Sequence, residues 1–308
     1  MECRNVTAAQ TTAAPLGAHM AAELASQPET WARAAGLRDE QARLPPPGAR
    51  IAVVGCGTSW FVAQSYACLR EAGGHGETDA FAASEAFVDR DYDAVVALSR
   101  SGTTTEVLQL VERLRGRLAT IGVLGDPTSP LAGLVDEAVT LEFADEKSVV
   151  QTRFATSTLA LLRASLGEDL EPAVADAARA VREEPDPELV GAEQFTFLGR
   201  GWTVGLAHEA ALKMREASQS WTESYPAMEY RHGPISIAAP ARVVWHFGEA
   251  PAGLAIDVTS TRARFEAGSL DPMAELVRAQ RVALARAQAK GLDPDAPRNL
   301  TRSVILET

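Results

Sequence analysis

A cluster of polar side chains lies between residues 99 and 104. Ser99, Ser101, Thr103 and Thr104 supply four hydroxyl groups and Arg100 supplies a guanidinium group, directly after the apolar run AVVAL. Such hydroxyls can donate hydrogen bonds to phosphate oxygens, and the start of a helix favours an anion at the same place. An ordinary helix cap is the alternative, but it needs only one serine or threonine. The cluster therefore predicts a phosphate-binding turn.

A second candidate anion site is Gly55-Cys56-Gly57-Thr58-Ser59, which follows the apolar run IAVV. Small residues at a strand-to-helix turn let backbone N–H groups approach a phosphate or a pyrophosphate. A dinucleotide site is one alternative, because Asp79 lies at a suitable sequence distance for a ribose, although Trp60 replaces the third glycine of that motif. A tight turn that serves packing alone is the other alternative.

Two further groups are suited to moving protons. Glu209, Lys213 and Glu216 are spaced by four and three residues, so they share one face of a helix. A solvated salt-bridge ladder is the alternative, but this helix follows a Gly-Arg-Gly turn at the sheet edge where open α/β folds bind ligands. His232 lies in a loop-like stretch, residues 224–234, and histidine exchanges protons readily near neutral pH. A structural histidine is the alternative there.

The elements that must position these groups alternate between strand and helix. A helix is predicted over residues 20–37, and a proline-rich turn follows it at residues 44–48. The predicted strands are IAVV, DAFAA, AVVALS, TIGVLG and EAVTLEF, and the predicted helices between them lie near residues 60–72, near Glu85 and over residues 104–118. This alternation predicts a parallel sheet with helices on both faces.

The second half of the chain repeats this opening in a shortened form. Predicted helices over residues 146–166 and 168–184 lead to the acidic stretch EEPDPE, which we interpret as a domain linker. The strand FTFLGRG then precedes a helix that extends to about Ser220, and VVWHF and LAIDVTS follow. After VVWHF the sequence is GEAPAGL, without the hydroxyl-rich turn of the first half.

Composition narrows the class of protein. The 308 residues are 46% hydrophobic, which suits a globular chain of about two domains. The longest apolar runs fall well short of a membrane span of about 20 residues, and no signal-peptide pattern opens the chain. We therefore expect a cytoplasmic protein without a membrane partner, and a net charge of −12 disfavours nucleic acid as a partner. Cys3, Cys56 and Cys68 form no CxxC pair, and we expect neither a metal nor another cofactor.

Six motifs together resemble those of the tandem sugar isomerase (SIS) enzymes in order and spacing. They are GCGTS, SRSGTT, EKSVVQTR, LGRG with HEAALKMRE, YRHGP and DPDAPRNLTRSV. The chain is similar, over residues 20–307, to the isomerase half of glucosamine-6-phosphate synthase and to stand-alone SIS amino-sugar-phosphate deaminases. The resemblance implies an α/β protein with two SIS domains, each a parallel sheet flanked by helices, the second one shortened. The implied boundaries are a tail and helix (1–45), a phosphate-binding first domain (46–183), a linker (184–193) and a second domain with an active-site tail (194–308).

The resemblance also implies a role for each site residue, and it implies a sugar phosphate as the substrate. The implied phosphate ligands, all in the first domain, are Thr58, Ser59, Ser99, Arg100, Ser101 and Thr104. The implied sugar contacts are Gly57, Val149 and Gln151. Glu216 is implied to be the base that moves a proton between C1 and C2, with Lys213 as a supporting charge. His232 is implied to open the sugar ring from the other subunit of a homodimer, and Arg302 occupies the tail position where synthases carry a lysine.

Two departures from the family leave the reaction open. No glutaminase domain precedes the SIS pair and Cys3 is not placed as an N-terminal nucleophile, so we expect no glutamine-fed amination. Arg302 stays protonated and is a poor nucleophile, which argues against an imine at that position. On a hexosamine 6-phosphate, C2 deprotonation then leads to isomerisation with or without deamination. The alternatives are elimination of water from N-acetylglucosamine 6-phosphate and a noncatalytic sugar-phosphate sensor. Glu216 and His232 favour an enzyme over a sensor, and no appended DNA-binding domain is visible.

Overall fold

The computed structural model describes residues 15–306. Cys3 and the first part of the predicted N-terminal tail lie outside the described residues. Within residues 15–306, no helix combines the length and the hydropathy that crossing a membrane requires.

The first sheet has five parallel strands, and all five were predicted. They are β1 (Ile51–Gly55), β2 (Thr78–Ala82), β3 (Ala94–Ser99), β4 (Ala119–Leu124) and β5 (Glu137–Thr140). Their order in the sheet is β2-β1-β3-β4-β5. β1 and β3 are buried along their whole length, as expected for apolar strands covered on both faces. After β1 the chain continues to β2 on one side of the central pair of strands, and after β3 it continues to β4 on the other side. Open α/β sheets bind ligands in the crevice at the carboxyl ends of such a pair.

The second sheet has four parallel strands. They are β6 (Gln194–Gly199), β7 (Trp221–Pro226), β8 (Arg242–His246) and β9 (Arg264–Ala267), in the order β7-β6-β8-β9. The central strands β6 and β8 were predicted. The edge strands β7 and β9 were not, because edge strands carry polar side chains and lack a continuous apolar run. The start of the stretch 224–234 therefore belongs to β7 and was wrongly assigned to a loop, and its remainder forms short 3₁₀ turns.

Helices surround both sheets. The helices of the described residues are α1 (Ala18–Ala25), α2 (Gln27–Ala35), α3 (Arg38–Gln41), α4 (Thr58–Ala72), α5 (Thr105–Leu114), α6 (Pro130–Leu134), α7 (Arg153–Ser165), α8 (Glu171–Ala180), α9 (Pro187–Gly191), α10 (Thr203–Ser218), α11 (Leu254–Ser260) and α12 (Pro272–Ala289). The helix predicted near Glu85 is only a 3₁₀ turn, Ala83–Glu85. We assigned no element to the region of α12 from the sequence, although it is the longest helix described.

The predicted leading helix over residues 20–37 is two helices rather than one. It breaks at Ser26, between α1 and α2. Pro28 lies at the start of α2, where it is tolerated, but within a continuous helix its ring would clash with the carbonyl of Leu24. Trp31 is fully buried and its indole N–H donates to Thr156 Oγ1 at 2.8 Å, which fixes α2 against α7.

The predicted helix start at Glu146 was also wrong, because α7 begins at Arg153. The carboxylate of Glu146 instead accepts hydrogen bonds from the backbone N–H groups of Thr152 (2.6 Å), Arg153 (2.8 Å) and Phe154 (3.2 Å). The first N–H groups of a helix have no partner within the helix, and a carboxylate satisfies them best. Residues 146–152 are therefore a loop folded back over the start of α7. The second predicted helix is likewise shorter, and the predicted linker contains α9.

The two sheets share one apolar core. One continuous cluster of buried side chains includes Val53 and Val96 from the first sheet and Phe195 and Trp245 from the second. Helices α4 and α10 join the halves at a close approach around Gly205. A Cβ atom there would lie 2.3 Å from Ser65 Oγ and 2.4 Å from the Phe61 carbonyl oxygen. The division of the chain at residues 184–193 into two domains stays a prediction.

Gly205→Ala tests whether this helix crossing is as tight as the contacts indicate. The added methyl group would overpack the crossing, and we expect a loss of about 1–3 kcal/mol in the free energy of unfolding. Gly133→Ala in α6 is the matched control, because nothing lies within 4 Å of its Cβ position. Chemical denaturation measures both variants. Equal stability of the two variants would show that α4 and α10 can separate freely at Gly205.

Candidate functional site

A cavity of about 190 Å³ opens at the carboxyl ends of β1 and β3. It is lined by every residue to which the family resemblance assigns a role, except His232. The lining residues are Cys56, Gly57, Thr58, Ser59, Leu98, Ser99, Arg100, Ser101, Thr104, Val107, Val149, Gln151, Lys213, Glu216, Leu300, Thr301, Arg302, Ser303 and Val304. Residues from both halves of the chain and from the C-terminal tail therefore meet at one site.

The hydroxyl-rich turn between β3 and α5 forms one wall. Ser99 Oγ accepts a hydrogen bond from the Gly102 N–H at 3.1 Å, and Ser101 Oγ accepts from the Thr103 N–H at 3.2 Å. Gly102 has φ +61°, a conformation that favours glycine. Thr104 is the N-cap residue of α5, yet its side chain makes no capping hydrogen bond. The ordinary helix cap does not explain this turn, whose hydroxyls remain able to donate into the cavity.

Arg100 links three walls of the cavity. Its side chain is 5% exposed and donates to the carbonyl oxygens of Ser148 (3.1 Å), Val149 (3.4 Å) and Arg302 (2.9 Å). Burial lowers the pKa of Arg100, and Glu146, whose carboxylate lies 3.9 Å away, opposes that shift. With most of its N–H groups engaged by carbonyls, Arg100 offers the cavity mainly its positive charge.

The turn after β1 forms the opposite wall. Gly57 has φ +53° and precedes α4, whose first residues are Thr58 and Ser59. The dinucleotide alternative loses its support here, because Asp79 accepts a 2.5 Å hydrogen bond from Tyr92 Oη and pairs with Arg90. Asp79 does not line the cavity.

The charged face of α10 closes the cavity from the second half. Lys213 Nζ donates to Glu216 Oε2 at 2.5 Å and to Thr58 Oγ1 at 2.9 Å, and it lies 3.5 Å from Glu209 Oε1. Lys213 and Glu209 are almost wholly buried, whereas Glu216 lines the cavity with a side chain that is 19% exposed. The solvated salt-bridge ladder is therefore wrong for this helix face, and Glu216 is the carboxylate that a ligand can reach.

Burial changes the acidity of this face. It raises the pKa of Glu209 to about 7, against the opposing charge of Lys213. Burial would lower the pKa of Lys213, but Glu209 and Glu216 outweigh it and raise that pKa. Lys213 is therefore an ammonium group. Glu209 was noted in the sequence only as a member of the face, and the four-residue spacing to Lys213 was the signal for its contact.

The C-terminal tail crosses the mouth of the cavity. The Val304 carbonyl accepts from the first N–H of α5, at Thr105 (3.2 Å), and Thr105 Oγ1 accepts from the Leu306 N–H at 2.9 Å. The guanidinium of Arg302 donates to the Glu146 carbonyl and pairs with the Asp145 carboxylate. Arg302, the tail residue predicted from the sequence, thus lines the cavity with its charge already paired. The sequence did not predict that Ser303 and Val304 also line the cavity.

The predicted sugar contacts lie on the loop before α7. Val149 is fixed by its N–H, which donates to the Asp295 carbonyl at 3.3 Å. Gln151 has a buried side-chain amide nitrogen with no hydrogen-bond partner among residues 15–306. An unsatisfied buried donor at a cavity wall is a natural partner for a ligand oxygen.

His232 lies apart from the cavity. Its exposed side chain ends the 3₁₀ turn Glu229–His232, in which Tyr230 is buried and Arg231 forms a 2.5 Å ion pair with Asp257. Within the described part of one chain, His232 does not line the cavity. Its insertion into the site of a second subunit stays a prediction.

Comparisons with known proteins agree with this architecture. The SIS domain family matches residues 47–166. The curated relatives include two enzymes named glutamine–fructose-6-phosphate aminotransferase (isomerizing). The one from Bradyrhizobium diazoefficiens is 29% identical over 70% of this chain and 44% of its own length. The one from Aeropyrum pernix is 30% identical over 94% of this chain and 57% of its own length. The chain thus spans about half the length of the curated relatives it matches.

Solved structures share the fold. A glucosamine-6-phosphate deaminase from Thermotoga maritima is 24% identical with a TM-score of 0.77, covering 92% of this chain and 99% of its own. A tagatose-6-phosphate ketose/aldose isomerase from Escherichia coli is 18% identical with a TM-score of 0.73, covering 93% of this chain and 96% of its own. The fold extends over both sheets, beyond the residues that the family match covers.

The acidity of Glu209 predicts a pH dependence of stability. Its pKa is about 7 in the folded protein against an ordinary 4.5, so between these values the folded state binds more protons than the unfolded chain. Stability should therefore fall as the pH rises through this window, and Glu209→Gln should make the fall shallower. Glu23, whose pKa burial also raises to about 7, retains part of the slope. Melting temperatures across the window measure it, with exposed Glu112→Gln as the control. An unchanged slope in Glu209→Gln would show that Glu209 is ionised throughout.

Proposed function

Because this chain contains a SIS domain, we propose that it is an enzyme that binds a hexosamine 6-phosphate and removes the C2 proton of the open-chain sugar. The observation that carries the proposal is the cavity in which a hydroxyl-rich turn faces a carboxylate held by a buried ammonium group. The first feature suits a phosphate, the second suits removal of a proton from carbon, and both line the same cavity.

The phosphate end of the proposed substrate lies at the start of α5. Ser99, Ser101 and Thr104 line the cavity there, and the helix start adds a partial positive charge. Thr58 and Ser59 face it from the start of α4. Two helix N-termini and the charge of Arg100 together offset the cost of bringing a dianion into an acidic protein.

The reacting carbons lie near α10 in this proposal. Glu216 takes the proton from C2, and Lys213 holds the Glu216 carboxylate in place and offers a positive field to the charge that develops on the sugar oxygens. Return of the proton to C1 gives the ketose. When C2 carries a free amine, the same return gives a ketimine, which water hydrolyses to the ketose and ammonia. Isomerisation with deamination therefore needs no covalent bond to the protein.

Elimination of water is the second candidate reaction, and the small number of lysines near the cavity supports it. The sequence has three lysines, and of these only Lys213 lines the cavity, where it is a paired ammonium. With Arg302 in the tail, the cavity offers no free amine for an imine. An N-acetylated sugar cannot readily lose its nitrogen, and loss of the C3 hydroxyl after C2 deprotonation would give dehydration.

The proposed setting is a cytoplasmic homodimer in which each chain lends His232 to its neighbour. His232 is exposed on an anchored turn, as a donated residue must be. In this role it would open the sugar ring before the C2 proton becomes acidic.

Glu216→Gln tests the reaction directly. The amide keeps the shape of the side chain but cannot accept the C2 proton, so turnover should fall by about 10²–10⁴-fold while the sugar phosphate still binds. The assay follows products from glucosamine 6-phosphate, N-acetylglucosamine 6-phosphate and fructose 6-phosphate in heavy water. Deuterium at C1 of a ketose indicates isomerisation, and loss of a C2 label with loss of water indicates dehydration. Exposed Glu112→Gln is the control.

Two results would contradict this proposal. Near-normal turnover by Glu216→Gln would reassign Glu216 to a structural ion pair. Binding of a hexosamine phosphate by the wild-type protein with no product from any of the three sugars would favour the noncatalytic sensor.

Subunit mixing tests the donated histidine. His232→Ala and the double variant Ser101→Ala/Thr104→Ala should each be inactive alone, because one lacks the lent residue and the other lacks two phosphate donors. After subunit exchange half of the dimers are mixed and each has one intact site, so activity should recover to about a quarter of the wild-type value. No recovery, with exchange verified by mass, would mean that His232 serves its own chain or no site at all.

A further inference from the structure

The loop that carries the predicted sugar contacts is held from outside the residues that the family match covers. Val149 and Gln151 line the cavity, and the loop reaches them from Glu146, where it turns away from α7. No strand pairs with this loop among the described residues. Its position therefore depends on side chains that grip its backbone.

Glu23 holds the backbone of this loop from α1. It lies on α1, its side chain is buried with the residue only 3% exposed, and its Oε1 accepts from the N–H groups of Lys147 at 2.5 Å and Ser148 at 3.2 Å. Hydrogen bonds from backbone N–H groups to a carboxylate are about twice as strong as neutral ones. The carboxylate does not cap its own helix or line the cavity.

A second carboxylate fixes Glu23 itself. Asp295 accepts from the N–H groups of His19 and Met20, both at 2.8 Å, and so holds the start of α1. The carbonyl of Asp295 also accepts from the Val149 N–H, and the carbonyl of Pro294 accepts from Ser148 Oγ at 3.2 Å. The first helix and the segment before the tail thus converge on residues 147–149.

The loop in turn presents its own carbonyls to Arg100. The Ser148 and Val149 carbonyls take most of the Arg100 donor groups on that side, as described above. A shift of the loop would therefore displace both the predicted sugar contacts and the guanidinium beside the hydroxyl-rich turn.

We propose that Glu23 is a positioning residue for the sugar end of the cavity, which sets where Val149 and Gln151 meet the substrate by holding the backbone of Lys147 and Ser148. It does not touch the substrate. The part of this inference that concerns sugar binding rests on the proposed function, and the part that concerns the loop does not.

Hydrogen–deuterium exchange of the full chain tests the loop. In Glu23→Ala the peptide over residues 146–152 should exchange about tenfold faster or more, because two backbone N–H groups lose their carboxyl acceptor, while α7 exchanges as in the wild type. Glu23→Gln keeps an acceptor oxygen and should restore most of the protection. Glu23→Asp keeps the charge on a shorter side chain and should resemble Glu23→Ala. Glu29→Gln, on the exposed face of α2, is the matched control.

Kinetics with the active sugar from the product assay tests the consequence. For Glu23→Ala and Glu23→Asp we expect KM to rise about tenfold, with a smaller change in kcat per folded enzyme, because Glu216 is held by α10 rather than by the loop. Lower melting temperature with unchanged KM and unchanged loop exchange, in either variant that folds, would overturn the proposal and leave Glu23 a purely structural residue. If the wild-type protein binds none of the three sugars but the loop of Glu23→Ala still exchanges faster, the proposed function is rejected and the contact of Glu23 with the loop is supported.

Discussion

The buried ammonium group of Lys213 constrains the way the two halves of this chain fit together. It is 1% exposed, and a charge so far from water is stable only when hydrogen-bonded and paired. Its partners come from both halves: Thr58 at the start of α4, and Glu209 and Glu216 on its own helix. The lysine can satisfy all of them only if α10 crosses α4 closely, and the absence of a side chain at Gly205 permits that approach. The same arrangement leaves Glu216 as the one carboxylate of this face that reaches the cavity.

Around that crossing, the cavity is closed by segments that are far apart in sequence. Arg100 donates to carbonyls of the loop before α7 and of the tail, and Arg302 returns from the tail to the same loop. The loop, the tail and the start of α4 are thus each held by a charged side chain of another wall. A cavity built this way can keep its shape although turns, loops and a tail, rather than strands, form most of its lining.

The sequence was most informative where the chemistry is local. The hydroxyl turn after β3 and the glycine turn after β1 each lie within six residues of a buried strand, and both were located correctly. The face of Glu209, Lys213 and Glu216 followed from helical spacing. Glu146 was misplaced because a glutamate suits a helix interior by propensity, and its role as a cap depends on a chain reversal that spacing does not encode. The contacts of Glu23 with Lys147 and of Ser303 with Thr104 join residues more than a hundred positions apart, so no local pattern could indicate them. For His232, the predicted destination involves a second chain, and no pattern within one chain specifies it.

In the proposed reaction, the lent His232 opens the ring, and the later choice between isomerisation and elimination turns on geometry rather than on a further acid within the chain that forms the cavity. The ionisable side chains lining the cavity are Cys56, Arg100, Lys213, Glu216 and Arg302. Burial raises the pKa of Cys56 to about 11, so it is a neutral thiol, and the three cations are engaged in ion pairs or hydrogen bonds. In the proposed reaction Glu216 would therefore both remove the C2 proton and deliver it, to C1 for a ketose or to the leaving C3 hydroxyl for dehydration. A single carboxylate serves both fates on one face of the sugar. In this proposal the product would then be decided by which sugar atom lies over Glu216, and the loop that carries Val149 and Gln151 would set that position.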